Sequence, residues 1–128
     1  MEQATTYGIK ISVETDFQQE YSSPMQKHFV FSYRILIENN SESTIQLLKR
    51  HWFIYDSVGI IKEVQGIGVV GHQPIIEPKD SYEYVSGCNF RSELGKMNGE
   101  YLFKKVLNDE TFHVKIPEFV MNVPYLLN

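Results

Sequence analysis

Strict alternation of apolar residues with small or polar ones limits what this chain can fold into. Tyr7, Ile9, Ile11 and Val13 are apolar, with Gly8, Lys10 and Ser12 between them. Phe29, Phe31, Tyr33, Ile35 and Ile37 repeat the pattern, and Phe112, Val114 and Ile116 do so again. Successive side chains of a strand point to opposite faces, so each run reads as a strand with one buried face. Further β-rich runs lie at Ile45 to Tyr55, Ile60 to Gln65, Tyr82 to Cys88 and Gly99 to Val106. Turn-forming residues bound them: Asn39-Asn40-Ser41, Asp56-Ser57-Val58-Gly59, Pro78-Lys79-Asp80-Ser81, Leu94-Gly95-Lys96 and Asn108-Asp109. Seven or eight short strands with regular turns predict an all-β fold, a two-sheet antiparallel β-sandwich with almost no helix. The polar stretch from Asp16 to Lys27, which contains Ser22-Ser23-Pro24, reads as a surface loop.

A chain of 128 residues has room for one core, so residues 1–128 are expected to form one domain. Its 42% hydrophobic and 13% aromatic content supplies that core and argues against disorder. The net charge of −4 disfavours a phosphate-tracking surface, so no nucleic acid partner is expected. Two basic clusters stand against that balance, Lys49-Arg50-His51 and Lys104-Lys105, and strand alternation splits each between two faces. No stretch approaches the ~18 apolar residues of a membrane span, which predicts no membrane insertion. The first residues, Met1 to Thr6, lack the apolar run of a secretory signal, and the single Cys88 can form no intrachain disulfide. Together these features predict a cytoplasmic protein.

Gly66-Ile67-Gly68-Val69-Val70-Gly71 spells G-x-G-x-x-G, the letters of the dinucleotide fingerprint. That mechanism needs a helix directly after the loop. The chain instead continues His72-Gln73-Pro74-Ile75-Ile76-Glu77-Pro78, and two prolines so close together forbid one. Two readings remain. Each glycine permits positive φ or close backbone packing where a strand leaves its sheet. Alternatively, consecutive backbone N–H groups in a tight turn form an anion-binding concavity for a phosphate-bearing ligand. The motif alone does not choose between them.

Other chemistry is thin. His28, His51, His72 and His113 show no metal-ligand spacing, and no cysteine pair completes a zinc site, so no metal or cofactor is expected. Cys88 reads as a core thiol, Trp52 as a core anchor. Arg50 shares the Trp52 face of its strand, where it could stack on an aromatic, serve recognition, or sit solvated at a strand end. No nucleophile, base and orienting group stand together in any known pattern, which predicts a binding domain rather than an enzyme.

The run Leu47-Leu48-Lys49-Arg50-His51-Trp52-Phe53-Ile54-Tyr55-Asp56, followed by Glu63-Val64-Gln65-Gly66-Ile67-Gly68-Val69-Val70-Gly71-His72-Gln73-Pro74, closely resembles the ApaG family. Tyr84-Val85-Ser86-Gly87, Gly95-Lys96-Met97-Asn98-Gly99-Glu100-Tyr101 and Phe112 to Phe119 continue the likeness, which covers Tyr7 to Pro124. The resemblance implies a fibronectin type III-like or immunoglobulin-like sandwich. It also implies links to cobalt resistance and magnesium efflux, to a diadenosine tetraphosphate hydrolase by name, and to interaction modules in eukaryotes, with no catalytic residue assigned. Two departures stand out. Pro78-Lys79 replaces a frequent Pro-Gly, so a turn tolerant of a side chain is expected there. Ser92-Glu93 replaces a frequent Thr-Pro, which should loosen that loop.

The sequence thus predicts a module that binds a protein partner, or alternatively a phosphate-bearing small ligand such as a nucleotide or pyrophosphate. Its working surface is expected at Arg50, His51, Gly66, Gly68, Gly71, His72, Gln73 and Pro74. Three glycines in six residues weaken a strand, by roughly 0.5 to 1 kcal/mol each, so that backbone must require them.

Overall fold

The alternating runs become strands of two antiparallel sheets in a computed structural model that describes residues 1–124. One sheet holds β1 (Glu2–Thr6), β2 (Ile9–Phe17), β3 (Phe29–Asn39) and a further strand, Ser81–Phe90, in that order. In the other, β4 (Ile45–Asp56) lies between β5 (Ile61–Ile67) and the strand Leu94–Lys105, and Thr111–Asn122 forms the far edge. The short β6 (Ile75–Ile76) also pairs with β4. Ser81–Phe90, Leu94–Lys105 and Thr111–Asn122 are numbered β7, β8 and β9. The all-β sandwich expected from the alternation is therefore the fold, and helix among the described residues is limited to two 3-10 turns, Gln19–Tyr21 and Pro24–Gln26, and to Pro124.

The apolar faces meet between the sheets. Ile9, Ile11, Phe31, Ile35 and Ile37 face Phe103, Val114 and Ile116 across the core, all of them buried. Trp52 is a core anchor, with ring centroids 5.6 Å from Tyr33, 5.9 Å from Phe119 and 6.3 Å from Tyr101. The Tyr101 and Tyr84 hydroxyls hydrogen-bond to each other across the sheets, which gives two buried polar tips a partner. Burial holds both hydroxyls well above the ordinary tyrosine pKa, so this bond stays neutral.

Several boundaries differ from expectation, each for a local reason. Tyr7 is not in a strand: with Gly8 it forms the two-residue β1–β2 turn, both at positive φ (51° and 81°), and it is exposed. Leu94-Gly95-Lys96 is strand rather than turn. Gly95 is there because the Phe90 ring lies 2.4 Å from where a Cβ would project, so packing and not bending selects glycine. Pro117 sits inside β9, which is tolerated on an edge strand beside the irregularity between Met97 and Gly99. In the Asp16 to Lys27 segment, Asp16 and Phe17 still belong to β2, and Ser22 ties the rest down by donating to the Gln18 carbonyl and accepting from the Val30 amide.

Both departures at the turns are corrected. The loop at Ser92-Glu93 is pinned, not loosened: the Ser92 hydroxyl bonds the Asp56 carboxylate, which also accepts the Arg91 amide at 2.7 Å, and the Glu93 carbonyl accepts the Val123 amide. At Pro78-Lys79 the turn has not changed to suit a side chain. Lys79 lies at φ 68°, with the Asp80 amide bonded to the Glu77 carbonyl, a turn that prefers glycine at that position.

The left-handed conformation costs an L residue roughly 1–2 kcal/mol, and glycine returns part of that through its own chain entropy. Lys79→Gly should therefore raise stability by about 0.5–1 kcal/mol in urea denaturation, with an unchanged denaturant slope.

Candidate functional site

The two short partners of β4 lie on the same edge of it. Ile67 stands opposite Lys49 and Ile75 opposite Gln46, both antiparallel, so β5 and β6 are one edge strand interrupted by Gly68 to Pro74. Over that interval β4 offers only Leu47 and Leu48. Seven residues must fold against two, and β4 itself bulges there, between Leu47 and Lys49.

The excess chain closes into a tight hairpin. Val69 and His72 exchange amide-to-carbonyl bonds of 2.8 and 3.0 Å, leaving Val70 and Gly71 as the two turn residues at φ 46° and 79°. A two-residue turn with both central φ positive suits glycine second, which accounts for Gly71. A β-branched residue at positive φ is an outlier, yet Val70 occupies the first position and is exposed. Val69 beside it is fully buried. The Leu48 carbonyl accepts both the Gly68 amide at 2.8 Å and the Gln73 side-chain amide at 3.0 Å. The Pro74 carbonyl accepts the Leu47 amide at 3.0 Å, and at the far end the buried Asn39 side chain donates to the Ile76 carbonyl at 3.0 Å. Gly68 has φ 64°, and a Cβ there would lie 2.2 Å from the His72 carbonyl oxygen.

Arg50 completes the enclosure. It lies on the Trp52 face of β4, half-buried, and its guanidinium lies across Gly66: a Cβ at Gly66 would fall 2.6 Å from Arg50 Cζ. From there Nη1 donates to the Ile67 carbonyl at 3.1 Å and the Gly68 carbonyl at 2.9 Å. Its charge also opposes the upward push that burial gives the Tyr33, Tyr84 and Tyr101 hydroxyls. Arg50 is thus neither stacked nor a solvated strand end; it closes the last turn of the edge strand.

Of the residues expected to form the site, Arg50, Gly66, Gly68, Gly71, His72, Gln73 and Pro74 are gathered around Leu48. His51 is not among them: alternation turns it to the outer face, where it meets Glu63 at 3.2 Å and the Phe53 ring at 4.7 Å. No three His, Cys, Asp or Glu side chains come together as metal ligands among the described residues. The amides of Gly68, Val69 and His72 already have carbonyl acceptors, and the chain passes into β6 rather than a helix. Cys88 is half-buried, 3.5 Å from Met121 Sδ, and burial pushes its pKa up to about 12.

Sequence reasoning missed the apolar character of this region. Ile67, Val70 and Ile75 are all exposed, by 70, 57 and 59%, around one short hairpin. Ile67 and Ile75 leave the outer face of the sheet, since their β4 partners Lys49 and Gln46 alternate with the inward Leu47 and Ile45 across the bulge. The sequence signal was present as three aliphatics, but the same letters describe a buried strand.

Comparison with known proteins places these features in a family. The sequence model of the ApaG domain matches residues 19–105. A protein named Protein ApaG from Brucella canis is 42% identical over 124 residues, covering 97% of this chain and 95% of that one. Protein ApaG from Nitrosomonas eutropha is also 42% identical over 124 residues, covering 95% of each. The crystal structure of the putative ApaA protein from Bordetella pertussis superposes with a TM-score of 0.88 at 37% identity, over 92% of this chain and 95% of that one. A protein from Archaeoglobus fulgidus, at 8% identity and a TM-score of 0.51, shares the fold alone.

The contact between Arg50 and Gly66 is testable as a coupling. Arg50→Met should cost about 1–2 kcal/mol, the half-exposed guanidinium bonds discounted for solvent. Gly66→Ala should destabilise the wild type but much less in the Arg50→Met background, because the guanidinium that the new Cβ would displace is gone. A double-mutant cycle in urea measures this, and additive effects would contradict the contact.

Proposed function

The chain belongs to the ApaG domain family, and we propose that it is a non-enzymatic module that binds a protein partner through the hairpin between β5 and β6. The observation that carries this reading is the exposed aliphatic group Ile67, Val70 and Ile75 on a hydrogen-bonded, glycine-turned support. Exposed apolar clusters rimmed by polar residues mark protein contacts, and a rigid loop loses little entropy on binding. Val70 adds weight. A valine at φ 46° is strained, and strain that folding does not require points to selection for another purpose. Arg50, Gly66, Gly68, Gly71, Gln73 and Pro74 then act as the mount that holds the hairpin, and His72 sits at its exposed tip. The family's link to cobalt and magnesium would, on this reading, run through the partner.

The phosphate-ligand alternative loses support at the same place. A backbone concavity needs several free amides in a row, and those of Gly68, Val69 and His72 are committed to carbonyls of the loop and of β4, which leaves only Val70 and Gly71 in the turn. The absence of turnover on dinucleoside polyphosphates is expected for the same reason that no nucleophile and base converge here.

Val70→Asn separates the two demands on this position. Asparagine tolerates positive φ, and Asn-Gly is a favoured pair for such turns, so stability should rise by about 1 kcal/mol. Recovery of partner proteins from an extract of the source cell, compared side by side with wild type, should fall at least several-fold. Unchanged recovery of the same partners would place the binding surface elsewhere.

A further inference from the structure

β5 is exposed on both faces, and no other described strand pairs with its outer edge. All its residues are exposed except the half-buried Gly66, and β4 is the only strand with which it pairs among the described residues. The Asp56 amide bonds the Ile60 carbonyl and the Gly68 amide bonds the Leu48 carbonyl, both at 2.8 Å. Even-numbered residues therefore turn their backbone groups toward β4, and Ile61, Glu63, Gln65 and Ile67 present theirs to the free edge. Such an edge is a template for another strand.

The residues that present their backbone to this edge, Ile61, Glu63, Gln65 and Ile67, are nearly symmetric about Val64. From this we infer that β5 pairs antiparallel with β5 of a second copy, across a two-fold axis through Val64, joining the two larger sheets into one. In that register Ile61 meets Ile67 of the second copy and Glu63 meets Gln65. The four edge-facing residues fall opposite one another, as a ladder requires. The neighbouring registers that keep the hydrogen bonds are worse. One sets Glu63 against Glu63, and the other sets Gln65 against Gln65 and Glu63 against Ile67. Like charges directly opposite destabilise a strand pair, while aliphatic pairs favour it. An isologous contact of this kind closes with two copies and leaves no free β5 edge.

One feature of the pairing is unfavourable. Lys62 falls opposite Gly66 of the second copy, across which the Arg50 guanidinium of that copy lies. The dimer should accordingly be weak and concentration-dependent. The two hairpins at Val69 to His72 lie at opposite ends of the paired strands, so Val70 and Ile75 stay outside the pairing, while Ile67 belongs to both surfaces.

The register can be read by cross-linking. Residue 64 would be a non-hydrogen-bonded pair with itself, at a Cα separation of about 4.5 Å, within the range of a disulfide. In a Cys88→Ser background, Val64→Cys should oxidise to a covalent dimer several-fold faster than Glu63→Cys or Gln65→Cys. Sedimentation of the uncross-linked protein should show a monomer–dimer equilibrium, shifted to monomer by Val64→Lys and to dimer by Lys62→Gln. Equal oxidation of the three cysteine variants would overturn the inference, as would a monomer at every concentration with Lys62→Gln present. So would protection of the β5 edge from exchange only when cell extract is added, which would assign the edge to a strand of another protein.

Discussion

One edge of β4 has to serve a partner that is too long for it. Between Lys49 and Gln46 the strand presents Leu47 and Leu48, while the chain opposite runs from Ile67 to Ile75. The surplus cannot stay in the ladder, and it cannot wander without leaving carbonyls and amides of β4 unpaired at the rim of the core. It folds into a hairpin flanked by the Gly68 amide and Gln73 side chain, which donate to the Leu48 carbonyl, and by the Pro74 carbonyl, which accepts the Leu47 amide. The three glycines, the Arg50 guanidinium and the Asn39 anchor all follow from that mismatch. Gly66 leaves room for Arg50, Gly68 lets the chain turn under the His72 carbonyl, and Gly71 closes the hairpin.

The mismatch also decides what is exposed. Val69 is drawn into the core, which fixes the hairpin against the sandwich, and Val70 is pushed into solvent in a conformation that valine disfavours. Ile67 and Ile75, at the two ends of the interruption, flank it. A backbone device that repairs an edge strand thereby displays an apolar surface on a rigid base. The same strand leaves its outer edge open between Ile61 and Ile67, so Ile67 lies both at the foot of the hairpin and on the open edge.

The sandwich was legible because the alternation at Phe29 to Ile37 and at Phe112 to Ile116 has only one physical solution, a strand with one buried face. An unusual backbone at Gly66 to Gly71 was legible for a related reason: glycines cost stability, so their density there marked special demands. What they were for was not. A glycine selected by a neighbouring ring, as at Gly95, and one selected by a turn, as at Gly71, are the same letter. Lys79, standing where the family resemblance offers a glycine, suggested a changed turn, and Val70 carries no signal of its positive φ; both conformations are imposed by the surrounding ladder against the residue's own preference. The adjacency of Arg50 and His51 likewise suggested one surface, whereas alternation puts the first over Gly66 and the second beside Glu63.

The central claim is that Gly68 to Pro74 is a fixed part of the β4 edge and not an attached flexible loop. Amide hydrogen exchange of the folded protein measures this residue by residue. The amides of Gly68, Val69 and His72, which bond the Leu48, His72 and Val69 carbonyls, should be protected to the same order as those of β4. Exchange of these three at the rate of an unstructured peptide, with β4 still protected, would contradict the account.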